Sequence, residues 1–180
     1  IYKEDKDVLK EYLMSRTQDL STDVLVTVSN IIQDVKNNKD EACLKYTREF
    51  DHVLLDTMEV TEEELDIQIS KCDKDFVEAM KLAKKNIEDF HKLQRQNGYL
   101  LQKEMGIYLG QRVLPLEAVG IYVPGGRAQY PSSVLMNALP AKIAGVKNVV
   151  MVTPPDSEGT IHPNIAYAAR LAGVDKIYKI

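Results

Sequence analysis

The sequence predicts an α/β protein, in which a helical amino-terminal region leads into the opening strands of a parallel sheet. Three observations predict it. Apolar residues recur at helical spacing through most of the first hundred positions. From Ala118 onward, short apolar runs alternate with helical segments. The connections between those segments are short, so successive strands must run parallel, with right-handed crossovers and helices covering the sheet, as at the start of a doubly wound fold.

Each element has its own signal. Val24, Leu25, Val28, Ile31, Ile32 and Val35 fall on one helical face, with Ser21 or Thr22 placed to cap the first turn. Asn37 and Asn38 break that pattern, and Asp40 can cap a second helix carrying Ala42, Leu44, Tyr46 and Phe50. Thr57 to Val60 is a short strand candidate. Thr61 and Glu64 have the spacing of a capping box and open a helix through Ile69. After Asp73, the series Phe76, Val77, Met80, Ala83, Ile87, Phe90 and Leu93 sustains a long helix, with Asn97 and Gly98 as its end signal.

Composition then changes. Tyr99 to Gln102 and Ile107 to Leu114 read as extended, with Gly106 and Gly110 at turns. Ala118 to Val123, Asn148 to Thr153 and Lys176 to Ile180 read as strands. Pro131 to Ala144 and His162 to Leu171 read as helices ended by Gly145 and Gly173. The division expected is a mainly helical region over residues 1–112 and a nucleotide-binding domain beginning at 113 and running to 180.

Ligands of open parallel sheets bind beyond the carboxyl ends of the strands, which directs attention to Pro124-Gly125-Gly126. Glycines there let backbone N–H groups approach a phosphate, and the helix start beyond adds partial positive charge, with Ser132 and Ser133 at hand. The motif is neither GxGxxG nor a P-loop, so on the motif by itself an ordinary strand-to-helix turn is the favoured reading. Tyr122, next to the strand's end, either stacks on a nicotinamide or adenine ring, hydrogen-bonds a ribose, or is a core tyrosine whose hydroxyl reaches water. Pro140 removes the hydrogen bond to the Met136 carbonyl and should kink its helix, either to shape a crevice or to fit the sheet. Arg127 and Lys142 read as solvated charges.

Composition narrows the classes of function. The 180 residues are 44% hydrophobic, enough for a packed core. A formal net charge of -4, with both signs interleaved, provides no basic face for nucleic acid. Apolar runs such as Ile143 to Val152 fall far short of the roughly 20 residues of a membrane span. The first residues do not resemble a secretory signal. Cys43 and Cys72 stand apart, as free thiols of a cytoplasmic protein do. Ile1 in first place and an apolar run at Asp175 to Ile180 suggest that the native chain extends further, which leaves the final strand as an exposed sheet edge.

Three stretches together resemble histidinol dehydrogenase: IIQDVKNNKDEACLKYTREFD, FHKLQRQ, and GQRVLPLEAVGIYVPGGRAQYPSSVLMNALPAKIAGVKNVVMVTPP. The resemblance runs nearly end to end. It implies the first half of an incomplete Rossmann-like parallel sheet, in a zinc- and NAD-dependent homodimer. It also implies oxidation of L-histidinol to the aldehyde and then to L-histidine, with two NAD used in succession. On this resemblance Tyr122 matches an NAD-contacting tyrosine, Pro124, Gly125 and Gly126 match the supporting turn, and Arg127 takes no role.

The resemblance further implies that the catalytic residues are absent from this chain. The family's Gln-Ala-Glu-His zinc segment, the further Asp and His ligands, the His base beside a Glu, and a Gly-Gly-Ala-Gln NAD contact all fall beyond the position of Ile180. The residues are in keeping with that. Alcohol oxidation needs a base, and zinc needs several ligands, yet His52, His91 and His162 stand in unrelated contexts. The expectation is an inactive amino-terminal portion of the enzyme. A stand-alone nucleotide-binding or assembly module without catalysis is the alternative, and an unrelated Rossmann-like enzyme is a third reading.

Overall fold

The computed structural model describes residues 6–15, 22–125 and 129–180. Its elements in chain order are helices α1 (Lys6–Ser15), α2 (Thr22–Phe50), α3 (Glu62–Ser70) and α4 (Lys74–Lys92), strands β1 (Tyr99–Glu104), β2 (Ile107–Gln111) and β3 (Ala118–Tyr122), helix α5 (Pro131–Ala144), strand β4 (Asn148–Thr153), helix α6 (Pro163–Ala172) and strand β5 (Lys176–Lys179). By packing, the chain divides into two compact units, residues 1–43 and 44–180. Composition changes near residue 112, whereas packing changes inside α2.

In the first unit, the predicted break at Asn37 and Asn38 is a kink at Lys39 (φ 50, ψ -124), with helix continuing on either side. Ser21, one of the two residues proposed to cap this helix, lies outside the described residues. The apolar stripe that predicts the helix is open to solvent, since Val24, Leu25, Val28 and Ile32 are all exposed. Periodicity reports which residues share a face; it does not say that the face is covered.

In the second unit, β3, β4 and β5 form a parallel sheet in that order, with Val119 opposite Val149 and Met151 opposite Ile177. Burial alternates along it. Val123, Val149, Met151, Thr153, Ile177 and Lys179 are buried, while Ala118, Gly120 and Tyr122 face outward and are exposed. A sequential strand order joined by right-handed crossovers places both crossover helices on one face. Accordingly α5 and α6 pack on each other, with α3 and α4 outside them, and a single face is sealed rather than two. Val134, Leu135, Ala138, Ile165, Ala166 and Ala169 fill the layer between sheet and helices. Gly145 and Gly173 adopt left-handed φ of 96° and 76°, which ends both helices as their sequence signals predict.

Three local expectations change. The 57–60 strand is reduced to one antiparallel bridge, Glu59 to Tyr178. That bridge corrects the expected exposed edge: the Val60 N–H donates to the Ile177 carbonyl and the Lys179 N–H to the Met58 carbonyl, each at 2.9 Å, so β5 already has a neighbour on its outer side. The long helix ends at Lys92, short of Asn97, because the residues beyond Leu93 are exposed and offer no apolar face to hold another turn. β1 and β2 form an antiparallel hairpin turning at Gly106 (φ 86), with every residue of both strands exposed.

Thr61 caps α3 by accepting the Glu64 N–H at 3.1 Å, but the Glu64 carboxylate does not turn back to complete a capping box. It takes Lys179 instead, with both oxygens 2.8 Å from Nζ and the lysine side chain only 8% exposed. This pair fastens α3 to the end of β5. Lys179→Met leaves a partly buried carboxylate without its cation and should destabilise the chain by about 3 kcal/mol, as should Glu64→Leu by stranding the lysine, whereas Lys179→Met and Glu64→Leu together should be near neutral. Urea unfolding of the four proteins of this double-mutant cycle measures it; equal losses in the single and the double variants would contradict it.

Candidate functional site

Parallel strands deliver all their carboxyl ends to one end of the sheet, so the exits of β3, β4 and β5 lie side by side there. The exit of β3 is set by one alternation. The Val123 N–H donates to the Val152 carbonyl at 2.9 Å, extending the sheet register one residue past Tyr122, and the Val123 side chain is fully buried. Tyr122 must then point the opposite way, and it is 63% exposed. This removes the core-tyrosine reading and leaves an aromatic ring and a hydroxyl free at the mouth of the sheet.

Pro124 and Gly125 follow, both half-buried. A Cβ placed on Gly125 would lie 3.3 Å from Cδ of Pro154 and 3.5 Å from its carbonyl oxygen. The turn leaving β3 thus lies close against the turn leaving β4, and a Cβ at Gly125 would require the Pro154 ring to give slightly. Gly126 and Arg127 lie outside the described residues. Beyond them, α5 opens with Pro131 in its first turn, and its N-cap residue Tyr130 makes no side-chain capping bond. The first turn carries no acidic residue, and Ser132 is exposed. A helix start without a side-chain cap or an acidic residue in its first turn favours an anion.

The other two exits are closed by their own bonds. After β4, the Asp156 carboxylate accepts the N–H groups of Glu158 and Thr160 and the Thr160 hydroxyl, all at 2.9 to 3.0 Å. After β5, Lys179 is held by Glu64. Neither Pro154 nor the Lys179–Glu64 pair stood out in the sequence. A signal for the pair existed: Lys179 shares the inward phase of its strand with Ile177, and a lysine in that phase requires a carboxylate partner.

The remaining candidates separate. Lys142 lies in the last turn of α5, far along the helix from the glycine turn, and binds Asp175 at 2.6 Å and the Lys147 carbonyl at 3.1 Å. Pro140 lies within α5, which runs through it without interruption. His52 sits just past α2 with a left-handed φ of 60°, His91 Nδ1 lies 2.6 Å from Gln94 Oε1, and His162 caps α6 through the Asn164 N–H. The three imidazoles therefore serve three different places. Among the described residues, no three His, Cys, Asp or Glu side chains are grouped so that they could hold a metal ion. Burial pushes both thiols up, with the Asp40 charge adding to the effect at Cys43, and the Cys72 thiol donates to the Pro163 carbonyl at 3.2 Å.

Asp175 shows how the far end of α5 is fixed. Partial burial pushes its carboxyl up, but the hydrogen bond from Lys142, the Val149 N–H and the lysine charge outweigh burial and hold it below its ordinary 3.8. A depressed carboxylate contributes stability that is fully present above about pH 4 and is lost as pH falls through its folded value. Its side chain is 41% exposed, so screening limits the effect to about 1 kcal/mol. Asp175→Asn should lower stability by that amount at pH 6, and the gap should close as pH falls below 4. Thermal unfolding across pH 2 to 7 checks the sign, and a gap that widens in acid would refute it.

Residues 14–180 match the protein family described as histidinol dehydrogenase. The histidinol dehydrogenase of Clostridium acetobutylicum is 52% identical over 160 residues, covering 89% of this chain and 37% of that protein. The histidinol dehydrogenase of Streptococcus mutans is 46% identical over 180 residues, covering 100% of this chain and 40% of that protein. Among solved structures, the crystal structure of histidinol dehydrogenase from Elizabethkingia anophelis is similar with a TM-score of 0.84 at 37% identity, over 90% of this chain and 37% of that one. The chain thus spans 37 to 40% of the length of these relatives.

Proposed function

The chain belongs to the histidinol dehydrogenase family, and we propose that it is the amino-terminal portion of an NAD- and zinc-dependent oxidoreductase that converts L-histidinol through the aldehyde to L-histidine. The observation that carries the NAD half of this reading is the exit of β3: an outward tyrosine, then Gly125 packed close against Pro154, and a helix start with no side-chain cap.

These residues fit a dinucleotide. Tyr122 offers its ring face for stacking, or its hydroxyl to a ribose. Pro124 and Gly125 lead into a turn over which a pyrophosphate can approach main-chain N–H groups, a role the family resemblance extends to Gly126, and the α5 start supplies partial positive charge. When bound, NAD supplies the hydride acceptor. The residues here would bind and orient it. Zinc does not fit the described residues, so its ligands and the proton-accepting histidine are assigned to the remainder of the complete enzyme.

A homodimer follows from the same family reading, and the hairpin supports it. Tyr99, Leu100, Leu101, Ile107, Tyr108 and Leu109 are 45 to 75% exposed on a two-stranded ribbon, which is marginally stable in water unless a partner surface covers it. No described helix is long and apolar enough to cross a membrane. We place the enzyme in the cytoplasm, in keeping with two cysteines that form no disulfide.

Two experiments test the reading. In the complete enzyme, Tyr122→Ala should weaken NAD binding about tenfold, the loss of one aromatic contact of about 1.4 kcal/mol. Tyr122→Phe should retain affinity if the ring stacks and lose it if the hydroxyl holds the ribose; NAD affinity unchanged in both variants counts against Tyr122 altogether. The purified 180-residue chain, mixed with L-histidinol and NAD, should form no NADH. Turnover there would overturn the division of labour, whereas NAD binding without turnover in a chain that ends naturally at Ile180 would favour the stand-alone module.

A further inference from the structure

An asparagine loses its side-chain amide when the next main-chain nitrogen reaches the side-chain carbonyl carbon, and two conditions control that approach. The next residue must lack a Cβ that blocks the attack, and its N–H must be free of the hydrogen bonds that hold regular structure. Both conditions meet at Asn97. It is followed by Gly98, and the two residues lie in the coil between α4 and β1, both exposed. Among the described residues, the Gly98 N–H donates to no backbone or side-chain acceptor. Asn97 and Gly98 line an open depression of about 420 Å³, so water reaches both.

The remaining asparagines fail on both conditions. Asn30, Asn37 and Asn38 lie in α2, Asn86 in α4, Asn137 in α5, Asn148 in β4 and Asn164 in α6, and each precedes a residue that carries a Cβ. Two of their amides are also engaged: Asn38 Nδ2 donates to Asp34 at 2.6 Å, and Asn137 Nδ2 donates to the Ser133 carbonyl at 2.7 Å. Gly98, for its part, cannot readily be exchanged. A Cβ placed on it would collide with the Gln111 carbonyl oxygen, so the entry to the hairpin requires a glycine directly after the asparagine. A second close approach follows at Gly110, where a Cβ would lie 2.5 Å from the Tyr99 carbonyl oxygen.

We propose that Asn97 is a site of spontaneous deamidation and isoaspartate formation, and that the β1–β2 hairpin is the element it alters. The Gly98 nitrogen attacks Asn97 Cγ, and the new N–C bond closes a five-membered succinimide. The side-chain nitrogen leaves as ammonia, taking the proton lost from Gly98. Water then adds to one of the two ring carbonyls and opens the ring. Opening at the side-chain carbon gives aspartate; opening at the main-chain carbon gives isoaspartate, whose main chain is one methylene longer. Either product carries a negative charge that asparagine lacks. The added methylene enters beside a glycine with no spare room against Gln111, so the pairing of Tyr99 with Gln111 must shift or open.

Incubation of the 180-residue chain at pH 6 and at pH 8.5, followed by tryptic digestion and mass spectrometry of the 96–103 peptide, tests the proposal. Conversion of Asn97 should run about tenfold faster than at any other asparagine, because Gly98 alone presents no Cβ. The isoaspartyl product should exceed the aspartyl one, and conversion should be faster at pH 8.5, where more of the attacking nitrogen has lost its proton. Asn97→Gln should remove the product, because glutamine would have to close a six-membered ring; the side chain is exposed, so this variant is expected to fold. Survival of Asn97 while another asparagine converts overturns the site. In the urea-unfolded chain the other asparagines lose the protection of helix and strand, so the gap should narrow; an unchanged gap overturns the part assigned to the fold. The converted species, separated by its added charge, should show displaced Tyr99 and Gln111 amide resonances with those of Val149 and Ile165 in place. Hairpin resonances that do not move overturn the structural consequence.

Discussion

The central strand β4 is the constraint on which the rest of this fold depends. It is hydrogen-bonded on both sides by parallel neighbours, and Val149, Met151 and Thr153 are nearly inaccessible on its inner face. Parallel register fixes where β3 and β5 end, and the two-residue alternation fixes which of their side chains turn inward. Val123 is drawn into the core by that rule, and Tyr122 is put outside by the same rule. The exposed tyrosine at the mouth of the sheet is therefore a consequence of core packing one residue away, before any ligand is considered.

A second consequence concerns how the sheet is held at its edges. With strands in sequential order, α5 and α6 collect on one face, and β5 would be left with an open side. Met58 to Val60 lie along that side, and Glu64 from the next helix reaches Lys179 at its end. Residues more than a hundred positions earlier thus finish the parallel sheet. The segment read from the sequence as a strand has the right location and too few bonds to be one, because only Glu59 forms a bridge and its neighbours exchange single hydrogen bonds with β5.

Local signals proved legible where the chain's own neighbours satisfy them. Thr61 and Asp73 cap helices through N–H groups three residues away or nearer, and Gly145 and Gly173 end helices by taking left-handed backbone that other residues resist. Legibility failed where the partner is distant. Glu64 has the spacing to complete a capping box, and the sequence cannot show that a buried lysine 115 residues later competes for it and wins. The glycine turn is intermediate: Gly125 is recognisable as a position needing close approach, while the neighbour that requires it, Pro154, is supplied by the next strand's exit.

What the sequence by itself determined is the order and kind of the elements from α3 onward, the parallel direction of the last three strands, the family, and the identity of the residues at the exit of β3; it did not announce α1, and it read a strand where residues 57–60 form one bridge. Each follows from spacing, caps or wording within one stretch of chain. Only the tertiary structure decided that Tyr122 is outside rather than in the core, that a single face of the sheet is sealed, that β5 is not an open edge, and that His52, His91 and His162 share no site. The reason is the same in every case: exposure and convergence belong to pairs of segments remote in the chain, and no local pattern carries information about which remote segment arrives.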